Sequence, residues 1–158
     1  MPHGHTHTAW RAIGFAGLAA GLALLAACGA STTPGGSSGQ VTIITDQPRY
    51  GASDTVHATV TNGLASSVLT ADHQSNCGIV TIERQEGQTW QPQNPCLLKT
   101  ATRLITLAPG SVTTAPLQPP TAAGASGWTA GTYRVAFTYR LSQAGSDTTI
   151  YSAQFSIG

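Results

Sequence analysis

The chain has 158 residues, of which 41% are hydrophobic and only 8% are charged, with 7 Lys+Arg set against 6 Asp+Glu, where an average soluble domain carries about 25% charged residues. That length admits one ordinary core, and the balanced charge without any run of Lys or Arg excludes a nucleic-acid protein that works by phosphate neutralisation and gives no pull toward an anionic bilayer surface. Alternating Val, Ile, Thr and Tyr segments of low charge exclude the intrinsically disordered class as well.

The first predicted element is an export signal. Arg11 stands before an uncharged apolar stretch, residues 12–27 (AIGFAGLAAGLALLAA), which is the pattern of a charged n-region followed by an h-region. As a helix at about 1.5 Å per residue it reaches only about 24 Å, short of the ~30 Å hydrocarbon core, so it is a poor permanent span. It ends Leu25-Ala26-Ala27-Cys28, which resembles the lipobox of bacterial lipoprotein precursors. The resemblance implies a diacylglyceryl group on the thiol of Cys28, cleavage after Ala27, and an extracytoplasmic protein held at the cell membrane or envelope by that lipid. Two acyl chains, at about 0.8 kcal/mol per buried methylene, suffice for stable anchoring where one does not. His3, His5 and His7, and the Gly17/Gly21 pair, leave with the signal and need no mature role.

Residues 28–40 then read as the lipidated cysteine and a flexible Gly/Ser/Thr linker, which holds the folded domain roughly 20 Å from the membrane. Without Arg11, six basic side chains face six acidic ones. The domain is expected over residues 41–158.

Short strands are predicted along it. Residues 41–45 are rich in β-branched side chains and stop at Asp46-Gln47-Pro48. Residues 55–62 alternate, with Val56, Ala58 and Val60 on a core face and His57 among threonines on a wet one. A weaker strand covers 67–71. A stronger one, 79–84, closes at Gln85-Glu86-Gly87-Gln88 before Thr89-Trp90. Strands at 103–107 and 111–117 flank Pro109-Gly110. In the last two strands, Tyr133, Val135, Phe137, Tyr139 and Leu141 share one face, as do Tyr151, Ala153, Phe155 and Ile157. No window keeps helical spacing over a dozen residues. The predicted class is therefore all-β, an antiparallel sandwich of about 7–8 strands after the signal helix and linker.

Asp46-Gln47-Pro48-Arg49-Tyr50, Asp54-Thr55-Val56 and Val60-Thr61-Asn62 resemble the opening strands of bacterial immunoglobulin-like domains. Ala130-Gly131-Thr132-Tyr133-Arg134-Val135 resembles their penultimate strand, where a Gly-x-Tyr step forms a corner. The order of Asn62, Trp90, Pro109-Gly110, Gly131-Thr132-Tyr133 and Gln154-Phe155-Ser156-Ile157 is similar to the bacterial intracellular proteinase inhibitor family, which shares that sandwich. The resemblance implies the fold and, as an alternative function, proteinase inhibition; the export signal and the cysteine pair depart from that family.

With Cys28 assigned to lipid, Cys77 and Cys96 remain as an even pair outside the cytosol. A disulfide between them, closing a loop of about 20 residues and contributing roughly 3 kcal/mol, is the expectation; free thiols and metal ligation are the alternatives. Candidate chemistry is sparse. His57 lies on a wet face, and Asp72-His73 sits in a polar loop near Cys77. Glu83 and Glu86 flank a solvated turn, 116–120 (PLQPP) is a stiff connection, and 124–127 is a loop. No nucleophile elbow, zinc signature or phosphate-binding loop appears. Trp90 and Trp128, each beside a turn, either pack into the sandwich end or stand out as anchors, and are the possible partner contacts. The expected function is a non-catalytic binding or envelope-structural module with no cofactor or metal. Its partners are the membrane, through Cys28, and an unknown protein or envelope component, with no nucleic acid. An exported proteinase inhibitor is the alternative, and a metal-binding or enzymatic domain the second.

Overall fold

The computed structural model describes residues 39–74, 78–93, 102–121 and 127–158. Cys28, Cys77 and Cys96, and with them the lipidation and disulfide expectations, lie outside the described residues. The described residues form β-strands and no helix: β1 Val41–Thr45, β2 Arg49–Tyr50, β3 Val56–Asn62, β4 Val68–Asp72, β5 Val80–Glu86, β6 Thr89–Gln93, β7 Arg103–Leu107, β8 Val112–Leu117, β9 Gly131–Tyr139, β10 Thr148–Tyr151 and β11 Phe155–Ile157. One sheet has the order β1-β3-β8 and another β2-β11-β9-β5-β6, with β10 also on β9, while β4 and β7 make a third. All pairings are antiparallel except β2 with β11.

Side-chain alternation along each strand decides which face is buried. In β3, Val56, Ala58 and Val60 are inside and His57 is exposed; in β9, Tyr133, Val135 and Phe137 are fully buried and Thr138 is exposed. Val41 and Ile43 of β1 and Leu117 of β8 join Ile82, Phe155 and Ile157 in one hydrophobic core. Tyr133 stacks on Phe155 with ring centroids 6.0 Å apart, and Tyr50 meets the same Phe155 edge-on at 5.2 Å. The Tyr133 hydroxyl donates to the carbonyl of Thr129 at 2.6 Å, the corner that the Gly-x-Tyr step implies. At the other end of β2, the Tyr50 hydroxyl donates to Asp46 Oδ1 at 2.5 Å, and that carboxylate also accepts the His57 backbone N–H.

Strands β3 and β4 follow one another, as do β7 and β8, and β3 pairs with β8 while β4 pairs with β7. One two-stranded ribbon thus passes between two sheets, bending at 63–67 and 108–111. The fully buried Asn62 occupies the bend. Its Nδ2 donates to the carbonyls of Ser66, Leu107 and Ala108, and its Oδ1 accepts the N–H of Leu64. The predicted Pro109-Gly110 turn lies here: Ser111 N–H donates to Ala108 O, and Gly110 takes φ 73°, which a type II turn reserves for glycine. The strands on either side of this turn do not pair with each other, because the ribbon gives each another partner.

Three expectations change. The final strand is two, β10 and β11. Ser152, buried between them, receives the Val135 N–H on its Oγ and gives its own N–H to Val135 O, so the side-chain alternation restarts: Tyr151 is 46% exposed whereas Phe155 is buried. Leu141 lies past the end of β9 and is exposed. More strands form than the sequence pattern predicts, through this break, the short β6 after the 85–88 turn and the two-residue β2.

Candidate functional site

The outer face of β6-β5-β9-β10 gathers the most distinctive polar chemistry among the described residues. Alternation sends Glu83 of β5 and Arg134 of β9 outward at the same level, since they are register partners. Arg134 Nε donates to Glu83 Oε2 at 2.7 Å, and the two side chains are only 20% and 15% exposed. From β6 on one side comes Trp90, whose ring centroid is 4.3 Å from the Arg134 guanidinium carbon; from β10 on the other comes Tyr151, at 3.6 Å. A guanidinium between two aromatic rings is attracted to both by their quadrupoles and loses rotamer freedom in advance. Its two terminal nitrogens donate to no protein acceptor among the described residues, and Glu83 Oε1 likewise accepts no hydrogen bond there; none of these atoms is wholly shut off from solvent. The arrangement is a rigid cation with two free donors, beside a free acceptor.

Along the same strands the face continues over Thr81 and Ala136 to a cavity of about 270 Å³, whose wall includes His73, Thr138, Tyr139, Arg140 and Asp147. Arg140 Nε pairs with Asp147 Oδ1 at 3.1 Å. At that end β9 hands over to β4, through two backbone hydrogen bonds between Arg140 and Leu69.

The structure separates the other candidate residues. Trp128 is 5% exposed: its indole N–H donates to Asp54 O at 2.8 Å and its ring meets Tyr133 edge-on. It therefore packs the core and offers no contact surface, which corrects its place as a possible partner contact. Beside it, Gly127 has φ 97°, and a Cβ there would stand 2.7 Å from Ala52 O, so only glycine lets the chain approach so closely. Trp90 is half-buried on the outer face. Glu83 and Glu86 point to opposite faces with different arginines, Arg134 and Arg84; Glu83 is enclosed, not solvated as expected. Asp72 pairs with Arg103 at 2.9 Å, and the backbone N–H of Gln74, followed by that arginine, holds its carboxyl below its ordinary pKa. His73 Nδ1 lies 3.3 Å from Thr102 Oγ1. Among the described residues no three His, Cys, Asp or Glu side chains gather as a metal site, and no helix is long and apolar enough to cross a membrane.

Sequence reasoning found Trp90 and missed Glu83, Arg134 and Tyr151 as its companions. The available signal was a charge at an outward position of a core strand in a chain with only 7 basic residues.

No protein-family model matches the chain, and no curated protein matches it. Among solved structures it is similar to Spo0M, a sporulation control protein from Bacillus subtilis, at 13% identity and TM-score 0.38, over 75% of this chain and 48% of that one. It is also similar to β-glucosidases from Listeria innocua (10% identity, TM-score 0.34, 75% of this chain and 16% of that one) and Erythrobacter marinus (11%, 0.31, 72% and 16%). The chain thus spans about half of Spo0M and a small part of each glucosidase. Likeness at this level carries no functional argument.

Proposed function

We propose that this protein is a membrane-tethered extracytoplasmic lipoprotein whose immunoglobulin-like sandwich is a non-catalytic recognition module, and that it recognises its partner with the outer face of β6-β5-β9-β10. One observation carries the assignment of the face: Arg134 is immobilised by Glu83, Trp90 and Tyr151 while its terminal nitrogens stay open. An arginine held only for stability has no need of open donors, whereas a rigid anchor loses little entropy when a ligand arrives. The tether rests on Leu25-Ala26-Ala27-Cys28, and the expected Cys77–Cys96 disulfide on the same export route.

Two experiments test the two parts. A photo-reactive amino acid placed at Gln85, beside Trp90, should give adducts in intact cells, and the same probe at Thr59, on the outer face of the β1-β3-β8 sheet, should give none. Equal labelling at both positions, or none at either, overturns the face assignment. Cys28→Ser should abolish lipid attachment and processing after Ala27; an unchanged mature mass and membrane partition overturns the tether.

A further inference from the structure

We propose that the Glu83–Arg134 pair binds the carboxylate of an acidic saccharide, a sugar acid of the uronate kind. The inference rests on the outer face being the recognition surface and names what that face takes. The two free terminal nitrogens of Arg134 form a planar fork that matches the two oxygens of a carboxylate. Glu83 Oε1, free beside that fork, accepts a hydroxyl and leaves the fork itself as the place for the ligand's carboxylate. A carboxylate with hydroxyls on the neighbouring ring carbons supplies both, and that is the chemistry of a uronic acid. The charge balance points the same way. Glu83 already offsets the Arg134 charge, so the site offers directed hydrogen bonds and little net positive field, which suits a monoanion better than a phosphate dianion. Trp90 and Tyr151 cover the guanidinium from either side, which holds the fork in place for the arriving carboxylate. The rim is polar and uncharged: Gln85 and Thr149 are exposed, as is Thr138, whose hydroxyl lies 2.8 Å from that of Thr149. A peptide chain terminus would bring a carboxylate without the ring hydroxyls, and is the competing ligand.

The test is calorimetric titration of the full chain in detergent micelles with four probes: tetragalacturonate, its methyl ester, inorganic phosphate and tetra-alanine. Tetragalacturonate should bind, and its methyl ester at least about tenfold more weakly, the loss expected when a charge-assisted hydrogen-bond pair is removed. Arg134→Lys, which keeps the charge and loses the fork, should weaken tetragalacturonate binding by a similar factor while its unfolding midpoint stays near that of the unaltered protein. Phosphate and tetra-alanine should bind weakly or not at all. Failure of tetragalacturonate to bind, equal binding of its ester, or unaltered binding by Arg134→Lys overturns the proposal. Tighter binding of tetra-alanine overturns it in favour of a peptide terminus, and equal binding of phosphate reduces the site to a general anion contact. The ester comparison needs no variant, so a folding defect in Arg134→Lys cannot hide the answer. Adducts at Gln85 without tetragalacturonate binding would remove this inference and leave the recognition face standing.

Discussion

Asn62 and Arg134 are both polar side chains drawn into β-structure, yet they differ in how much of their hydrogen-bonding capacity the protein uses. Every polar atom of the Asn62 side chain is occupied, by three carbonyls and one backbone N–H, and the residue is fully buried. Arg134 spends only Nε, on Glu83, and keeps its terminal nitrogens open between two aromatic rings. Burying a polar group is costly unless its partners are present, so a saturated group such as Asn62 marks architecture. A group that is fixed in place but half-used marks a surface prepared for something outside the chain.

The largest loss of stability is expected at the bend. Asn62→Ala removes a fully buried side chain and takes this partner from the N–H of Leu64 and the carbonyls of Ser66 and Leu107, each at about 1–3 kcal/mol if water does not enter, while the Ala108 carbonyl keeps the N–H of Ser111. Its loss should approach the about 3–5 kcal/mol expected for Phe137→Ala in the core, whereas Thr138→Ala, on the opposite face of the same strand, should cost under about 1 kcal/mol. Denaturant unfolding of the three variants ranks them; an Asn62→Ala loss as small as that of Thr138→Ala would show that the bend does not depend on this side chain.

A smaller effect is expected at high pH. Burial first, and then the hydrogen bond to the Asp46 carboxylate, push the Tyr50 hydroxyl from 10.0 up to about 12. Burial works against the charge of Asp46, but the hydrogen bonds from Tyr50 and the His57 N–H outweigh it and hold that carboxyl below its ordinary value. The folded chain therefore keeps its tyrosine proton where the unfolded chain has released it. This contribution is complete below about pH 10 and is lost as pH rises through about 12. Tyr133, also raised by burial, adds a loss of the same sign. Urea midpoints followed across this range should fall less steeply in Tyr50→Phe than in the unaltered protein. Parallel slopes would mean that Tyr50 does not carry the loss.

What was legible in the sequence was local. The parity of β3 and β9, the Pro109-Gly110 turn and the Tyr133 corner each depend on residues within a few positions of one another. The bent ribbon was not legible, because Asn62 reaches Leu107 across 45 residues, and a turn signal says that the chain bends without saying which strands will pair. The break between β10 and β11 was hidden because Tyr151, Ala153, Phe155 and Ile157 keep a perfect alternation; only the bonds of Ser152 to Val135 of β9 reset the register. The site was half visible. Trp90 stood out beside its turn, but Glu83 and Arg134 are 51 residues apart, and Tyr151 carried the alternation of a core residue. Trp128 looked equally available from its turn, until a backbone carbonyl 74 residues away accepted its N–H.

The most direct test of the recognition face is the adduct yield from the photo-reactive probe at Gln85 when Arg134 is replaced by alanine, read beside the unfolding free energy of the same variant. A partly exposed ion pair and its ring contacts should change stability by no more than about 1–2 kcal/mol. If the open guanidinium is the anchor, the Arg134→Ala protein folds and has lost its adducts. A folded variant with its adducts intact would contradict that role, and place Arg134 with Asn62 among the groups that only hold the fold together.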